Sequence, residues 1–271
     1  SQELPGVLAE YNIPHLGFRD RTVLFLPQLI LYILRNKIDL VYGNNLSGRS
    51  RVAFYASKIT GCPFIWHIRE SVRENDPRVK EVHLGDRVIA NSQDTARRLR
   101  EFAGVDAPVV IPNGVELSDY DIDAKTCRLI ICKKLSCNPN SLFIVNSGSV
   151  CKRKNQLEAV KVGIKVLERY PQTQFIFLGK FHDMNYLGEI EKEIKNTSFQ
   201  DHFHFLGFVR DFIPYLLGSD ILLHTAIKEP QGRVILEAMA TRLPVVAYDV
   251  GGVGEAVVYG ETGYLSQFGD I

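Results

Sequence analysis

From Lys37 onward the sequence repeats one pattern: a short apolar run, a turn, an amphipathic helical stretch, then another apolar run. Strands covered on both faces read as continuous apolar runs, and intervening helices make parallel pairing the natural connection. The chain is therefore predicted to be α/β, with parallel sheets sandwiched between helices. Strands are expected at residues 39–43, 63–68, 87–91 and 108–112, then at 142–148, 174–179, 202–207, 220–225, 244–249 and 263–266. Helices are expected at 47–60, 92–103, 154–170, 184–195 and 233–241, the second opened by Ser92 as a cap.

The 271 residues exceed a usual single domain. A break falls at "NGVELSDYDIDAKTCR", residues 113–128, which is rich in turn residues and acids and has no clear period. This divides the chain into a first lobe, residues 1–115, a linker, 116–134, and a second lobe, 135–271. Six strands in the second lobe match a doubly wound nucleotide-binding sheet, whereas the first lobe shows only four. The chain also opens on Ser rather than Met, and "SQFGDI" stops where another helix is expected. Both lobes are thus expected to be Rossmann-like and incomplete, lacking material at both ends of the chain.

Composition narrows the partners. A formal charge of +1, without blocks of like charge, argues against nucleic acid. The apolar run "VLFLPQLILYIL", residues 23–34, is too short to span a bilayer and contains Pro27 and Gln28, so a buried helix is expected there. The five cysteines fit neither zinc nor redox spacing. Reduced thiols and a cytoplasmic location follow, with peripheral contact at a membrane face left open.

The chemistry concentrates at "EPQGRVILE", which sets Glu229 and Glu237 around a strand-to-helix join. In an open parallel sheet, ligands sit beyond the carboxyl ends of the strands, where this loop lies. The amides of Gly232, Arg233 and Val234 should be open donors at the positive end of a helix, and Gly232 allows close approach of an anion. Helical side chains lean toward the N-terminus, so Glu237 reaches back to whatever docks there, and Glu229 can face it from the loop. Two carboxylates would repel an anion unless they accept hydrogen bonds from hydroxyls. A molecule with phosphate in the middle and hydroxyls at both ends resolves this, and a nucleotide sugar is one. Lys154, at the head of the helix after "SVCKRKNQ", is the best-placed cation for the diphosphate.

These residues resemble a known family. "EPQGRVILEAMATRLPVVAYDVGGVGEAVVYGETGYL", "VNSGSVCKRKNQLEAVKV" and "FLGFVRDFIPYLLGSDILLH" are similar to segments of the retaining glycosyltransferases of family four, which have the two-lobed GT-B fold. "VVIPNGVELSDY", "VIANSQDTARRL" and "CPFIWHIRE" resemble its lobe connection and acceptor-side segments. The resemblance implies transfer of a sugar from a nucleotide donor to a carbohydrate or lipid-linked acceptor, with retention and without a metal or other cofactor. It implies that Glu229 holds donor-sugar hydroxyls, that Glu237 binds the ribose, and that Lys154 with the Gly232, Arg233 and Val234 amides grips the diphosphate. It places the base against Val209 and Arg210, and His67 toward the reacting sugar. Gly148 and Ser149 belong to the matching phosphate loop, where Ser149 replaces the family's usual Arg. The glycine-rich loop expected near the start of the first lobe is absent. Two other readings stay open: a non-catalytic sugar-nucleotide module, and a glycosidase using Glu229 and Glu237 as its carboxyl pair.

Overall fold

The computed structural model describes residues 25–270 as two α/β lobes. In the first, β1 (Val41–Asn44), β2 (Phe64–Ile68), β3 (Arg87–Ala90) and β4 (Val109–Val110) form a parallel sheet in chain order. The helices α1 (Leu26–Arg35), α2 (Gly48–Thr60) and α3 (Gln93–Ala103) accompany it. Local chemistry fixes their ends. Ser47 accepts from the Ser50 amide and Ser92 from the Thr95 amide at the starts of α2 and α3. Gly61 and Gly104, both left-handed, close the same two helices. The core of the lobe is aromatic: Phe64 and Trp66 are fully buried, their rings 4.9 Å apart and edge to face.

The run expected to form a buried helix becomes α1, whose described part starts at Leu26; residues 23 and 24 lie outside the described residues. Only Ile33 of this helix is buried, while Leu31 and Leu34 are 46% and 58% exposed. A ten-residue helix lying mainly against α2 hides one stripe and leaves the opposite side to solvent.

In the second lobe, β5 (Phe143–Ser147), β6 (Gln174–Leu178), β7 (Phe203–Phe205), β8 (Ile221–His224), β9 (Val245–Tyr248) and β10 (Gly263–Ser266) pair in parallel. Across the sheet the order is β10-β9-β8-β5-β6-β7, the doubly wound arrangement that reverses between β5 and β8. Every residue of β6 is buried, as a strand covered on both faces requires. Phe143, Phe175 and Phe177 are each at most 2% exposed, and a side chain of this kind contributes about 1.5–3 kcal/mol on burial.

All ten expected strands are present, with ends shifted by a residue or two at most places. The stretch expected to be a plain linker differs. Residues Ala124–Leu135 form a helix, α4, that packs onto the second lobe through Ile131 and Cys132. Arg128 anchors it, donating to the carbonyls of Pro139 and Gly218 and to the Asp220 carboxylate. Leu129 and Ile130 are 60% and 49% exposed, and these outward apolar residues blur the helical period in the sequence. The remaining helices are α5 (Gln156–Arg169), α6 (Met184–Lys195), the short α7 (Ile213–Leu217) and α8 (Arg233–Ala240).

Polar contacts join the lobes. The Glu255 carboxylate accepts from the Gln93 and Asp94 amides at 2.7 and 2.8 Å, so a second-lobe acid occupies the start of first-lobe helix α3. The Gln231 side-chain oxygen accepts from the Asn113 amide at 2.9 Å and from its side-chain nitrogen.

Candidate functional site

The point where the sheet reverses, between β5 and β8, brings two loops together. The Ile227 amide donates to the Arg153 carbonyl at 3.0 Å, and Thr225 Oγ1 to the Asn155 carbonyl at 2.9 Å. Arg153 Nη1 in turn donates to the Lys228 carbonyl at 3.1 Å. These bonds hold the loop carrying Glu229 against the loop carrying Lys154. A third loop joins them through the Gly252 amide, which donates to the Glu229 carbonyl at 3.0 Å.

Helix α8 begins at this junction. Gly232 stands before it with φ 79°, a left-handed backbone that favours glycine, and a Cβ there would lie 2.8 Å from Ile235 Cδ1. No side chain caps the helix, and among the described residues no protein acceptor meets the amides of Gly232, Arg233 or Val234. Val234, Ile235 and Ala238 are buried in the core. The helix start therefore presents its donors, and the positive end of its dipole, at a place fixed by packing.

The two glutamates have different environments. Glu237 is 6% exposed, and its Oε1 accepts from Arg233 Nε at 2.7 Å, one turn back along α8. Glu229, with a side chain 10% exposed, is ion-paired to the Lys154 ammonium and lies 3.8 Å from Arg153 Nη1. The Nε2 of His224, a buried residue at the end of β8, lies 3.5 Å from Glu229 Oε2 without forming a hydrogen bond of normal geometry. Burial pushes Glu229 upward, yet the contact with His224 and the Lys154 charge outweigh it and hold the carboxyl at about 2. Burial also pushes His224 below its ordinary value, leaving the imidazole neutral, so Lys154 supplies the balancing charge.

Two cavities are lined by the glutamates that bracket the start of α8. One, of about 270 Å³, is lined by Gly148, Ser149, Lys180, Phe208, Val209 and Glu237, among others. The second, of about 210 Å³, lies between the lobes, with Ser71, Arg73, Asp94 and Arg98 on one side and Lys228 and Glu229 on the other. The carboxylates of "EPQGRVILE" thus open onto different spaces. Close backbone packing shapes the floor of the first: a Cβ on Gly179 would sit 2.0 Å from the Gly148 carbonyl oxygen.

The structure places Gly148, Ser149, Val209 and Glu237 on the first cavity and Glu229 on the second, with Lys154 paired to Glu229 and Gly232, Arg233 and Val234 at the start of α8, while two expected residues line neither space. Arg210 is exposed and does not line the first cavity; Phe208, Phe212 and Lys180 do, with Lys180 Nζ 4.7 Å from the Phe208 ring centre. His67 bonds through Nδ1 to the Tyr42 hydroxyl and does not line the cavity that holds Glu229. Its Nε2 is buried without a partner, and burial followed by the nearby Arg69 charge lowers its titration. Ser71 and Arg73, a few residues past the end of β2, do line that cavity.

Sequence reasoning did not assign Lys180, Phe208, Arg73, Arg98 or His224. Lys180 follows a strand end, as Lys154 does, and position after a parallel strand was the available signal. Tyr120 is a further unassigned group; burial raises its titration, and the Glu237 charge adds to that. No group of three or more His, Cys, Asp or Glu side chains able to hold a metal occurs among the described residues. Nor is any described helix long and apolar enough to cross a membrane.

Comparison with known proteins agrees with this architecture. Residues 129–271 match the family Glycosyl transferases group 1, and residues 3–119 match Glycosyltransferase Family 4. The chain is 40% identical over 77 residues to the N-acetyl-alpha-D-glucosaminyl L-malate synthase of Bacillus anthracis, covering 28% of this chain and 20% of that protein. Against the alpha-D-kanosaminyltransferase of Streptomyces kanamyceticus it is 26% identical over 269 residues, covering 87% of this chain and 68% of the relative. The matches thus span from a fifth to about two thirds of these relatives' lengths. The Anabaena HepE crystal structure in complex with UDP-glucose superposes with a TM-score of 0.84 at 25% identity, over 98% of this chain and 75% of that one. A Rickettsia africae glycosyltransferase shares the fold with a TM-score of 0.86 at 21% identity, over 98% of this chain and 74% of that one. With two parallel-sheet lobes of GT-B type and a family match over more than half its length, the chain belongs to the group 1 glycosyl transferases.

Proposed function

We propose that the protein is a retaining glycosyltransferase that moves a sugar from a nucleotide-sugar donor to an acceptor hydroxyl in glycan assembly. The observation that carries this reading is the start of α8, where three amides meet no protein acceptor among the described residues, bracketed by two glutamates that each line a cavity. In this reading the base and ribose occupy the 270 Å³ cavity, with ribose hydroxyls donating to Glu237. The diphosphate rests on the amides of Gly232, Arg233 and Val234. Glu229, ionised at neutral pH, accepts hydrogen bonds from hydroxyls of the transferred sugar.

Charge develops on the departing diphosphate oxygen, and donors already fixed in place stabilise it without reorganising. Lys154 can add to this, because an ammonium carries three N–H donors and Glu229 occupies only part of them. The amides and these cations meet the phosphate charge without a metal. An acceptor hydroxyl approaching on the face the diphosphate leaves would pass its proton to the leaving oxygen, preserving the anomeric configuration. The five cysteines are unpaired thiols, which suits a reducing, cytoplasmic compartment.

The glycosidase reading is disfavoured because Glu229 and Glu237 line different cavities and each is engaged by a cation. Calorimetric titration with UDP, GDP and ADP, followed by turnover of the matching sugar nucleotides, tests the proposal. UDP-glucose is the first donor to try, since Anabaena HepE binds it. Glu229→Gln should preserve nucleotide affinity and lower turnover at least ~100-fold, the scale of losing a preorganised polar contact. Unchanged turnover would remove Glu229 from the mechanism, and nucleotide binding without any turnover would leave a non-catalytic module.

A further inference from the structure

The cavity between the lobes has a charge pattern that donor binding leaves unexplained. Arg73, from the loop after β2, and Lys228, from the loop after β8, both line it, and neither forms an ion pair or side-chain hydrogen bond among the described residues. The acids facing the same space are already neutralised within the protein. Asp94 is held by Arg97 at 2.6 Å and Arg98 at 2.8 Å, and Glu229 by Lys154. The nearby Glu255 carboxylate is tied to the amides that open α3. Arg98 gives only its Nε to Asp94, which leaves further guanidinium N–H groups for the cavity.

Exposed cations on one surface are ordinarily solvated and mean little. These two come from different lobes and converge on one concavity beside Glu229, where the cations left over once the lining carboxylates are paired bias the field toward an entering anion. We propose that this cavity receives an acceptor bearing a carboxylate or phosphate, gripped by Arg73 from one lobe and Lys228 from the other with Arg98 at its flank. The reading rests on the donor assignment above for the word acceptor, while the anion site itself stands on the side chains. Such a grip requires both lobes at once, so it aligns the acceptor only when they are docked. The anionic group also orients the molecule, leaving a hydroxyl to face the sugar at Glu229.

Ligand-observed NMR titration of the protein with methyl glucuronoside, glucose 6-phosphate and methyl glucoside tests this. At least one of the two anions is expected to bind about tenfold or more tightly than the neutral glycoside, the scale of a charge-assisted hydrogen bond. Which of them binds decides between carboxylate and phosphate. Arg73→Gln with Lys228→Gln should abolish the preference, whereas Arg73→Lys with Lys228→Arg should keep most of it. Saturating UDP should leave the anion bound. Equal binding of all three probes, no anion binding, an unaffected double variant, or complete displacement by UDP would each overturn the proposal. Anion binding that follows the expected pattern in a protein without nucleotide affinity would sustain this site and defeat the donor reading instead.

Discussion

Replacing Lys154 by Met should expose how much of the second lobe's stability depends on its pairing with Glu229. The Lys154 and Glu229 side chains are 14% and 10% exposed, so solvent screens the pair little. A carboxyl held at about 2 rather than the ordinary 4.5 contributes ~3 kcal/mol at neutral pH, a total shared between the His224 contact and Lys154. Loss of one partner from a buried pair gives the same scale, about 3–5 kcal/mol. His224 is neutral and Arg153 stands 3.8 Å away, so neither fully replaces the ammonium. Because the folded-state value is depressed, this stability is present above pH ~4.5 and is lost as pH falls toward 2. Urea unfolding of both proteins between pH 7 and pH 3 measures it. The variant should be about 2–3 kcal/mol less stable at pH 7, with a melting point lower by roughly 4–12 °C, and the gap should shrink by more than half at pH 3. Equal stability at pH 7, or a gap independent of pH, would refute the claim that Lys154 balances a buried carboxylate.

Three further outcomes are expected. Glu237→Gln should weaken nucleoside diphosphate binding about tenfold by calorimetry, as expected for losing a charged acceptor of ribose hydroxyls, and should leave the fold intact. Gly232→Ala forces a side chain into a φ of 79° against Ile235 and Glu229, so thermal melts should show a loss of ~1–2 kcal/mol together with reduced nucleotide affinity. Glu255→Ala removes the carboxylate that joins the lobes at the Gln93 and Asp94 amides, and small-angle scattering should report a larger radius of gyration while each lobe keeps its circular dichroism.

By itself the sequence determined the elements, because buried parallel strands must be continuously apolar and their helices must repeat near 3.6 residues. "QFIFLG" became a strand with every residue buried, and Ser92 and Ser47 capped their helices by the local rule that serine precedes a helix start. The adjacency of glycine, helix start and strand end along the chain also raised the expectation of an anion site before α8, and the structure leaves the amides there without a protein acceptor among the described residues. Helix α4 escaped because Leu129 and Ile130 face outward and break the period on which sequence reading relies. Only the tertiary structure decided which charges meet. Lys154 and Glu229 are 75 residues apart in sequence, and pairing β5 with β8 is what joins them. The same holds for Arg73 and Lys228, which reach one cavity because two lobes dock. Local sequence carries propensity and pattern, whereas distances between remote charges, and the titration that follows from them, exist only once strand order and lobe contacts are set.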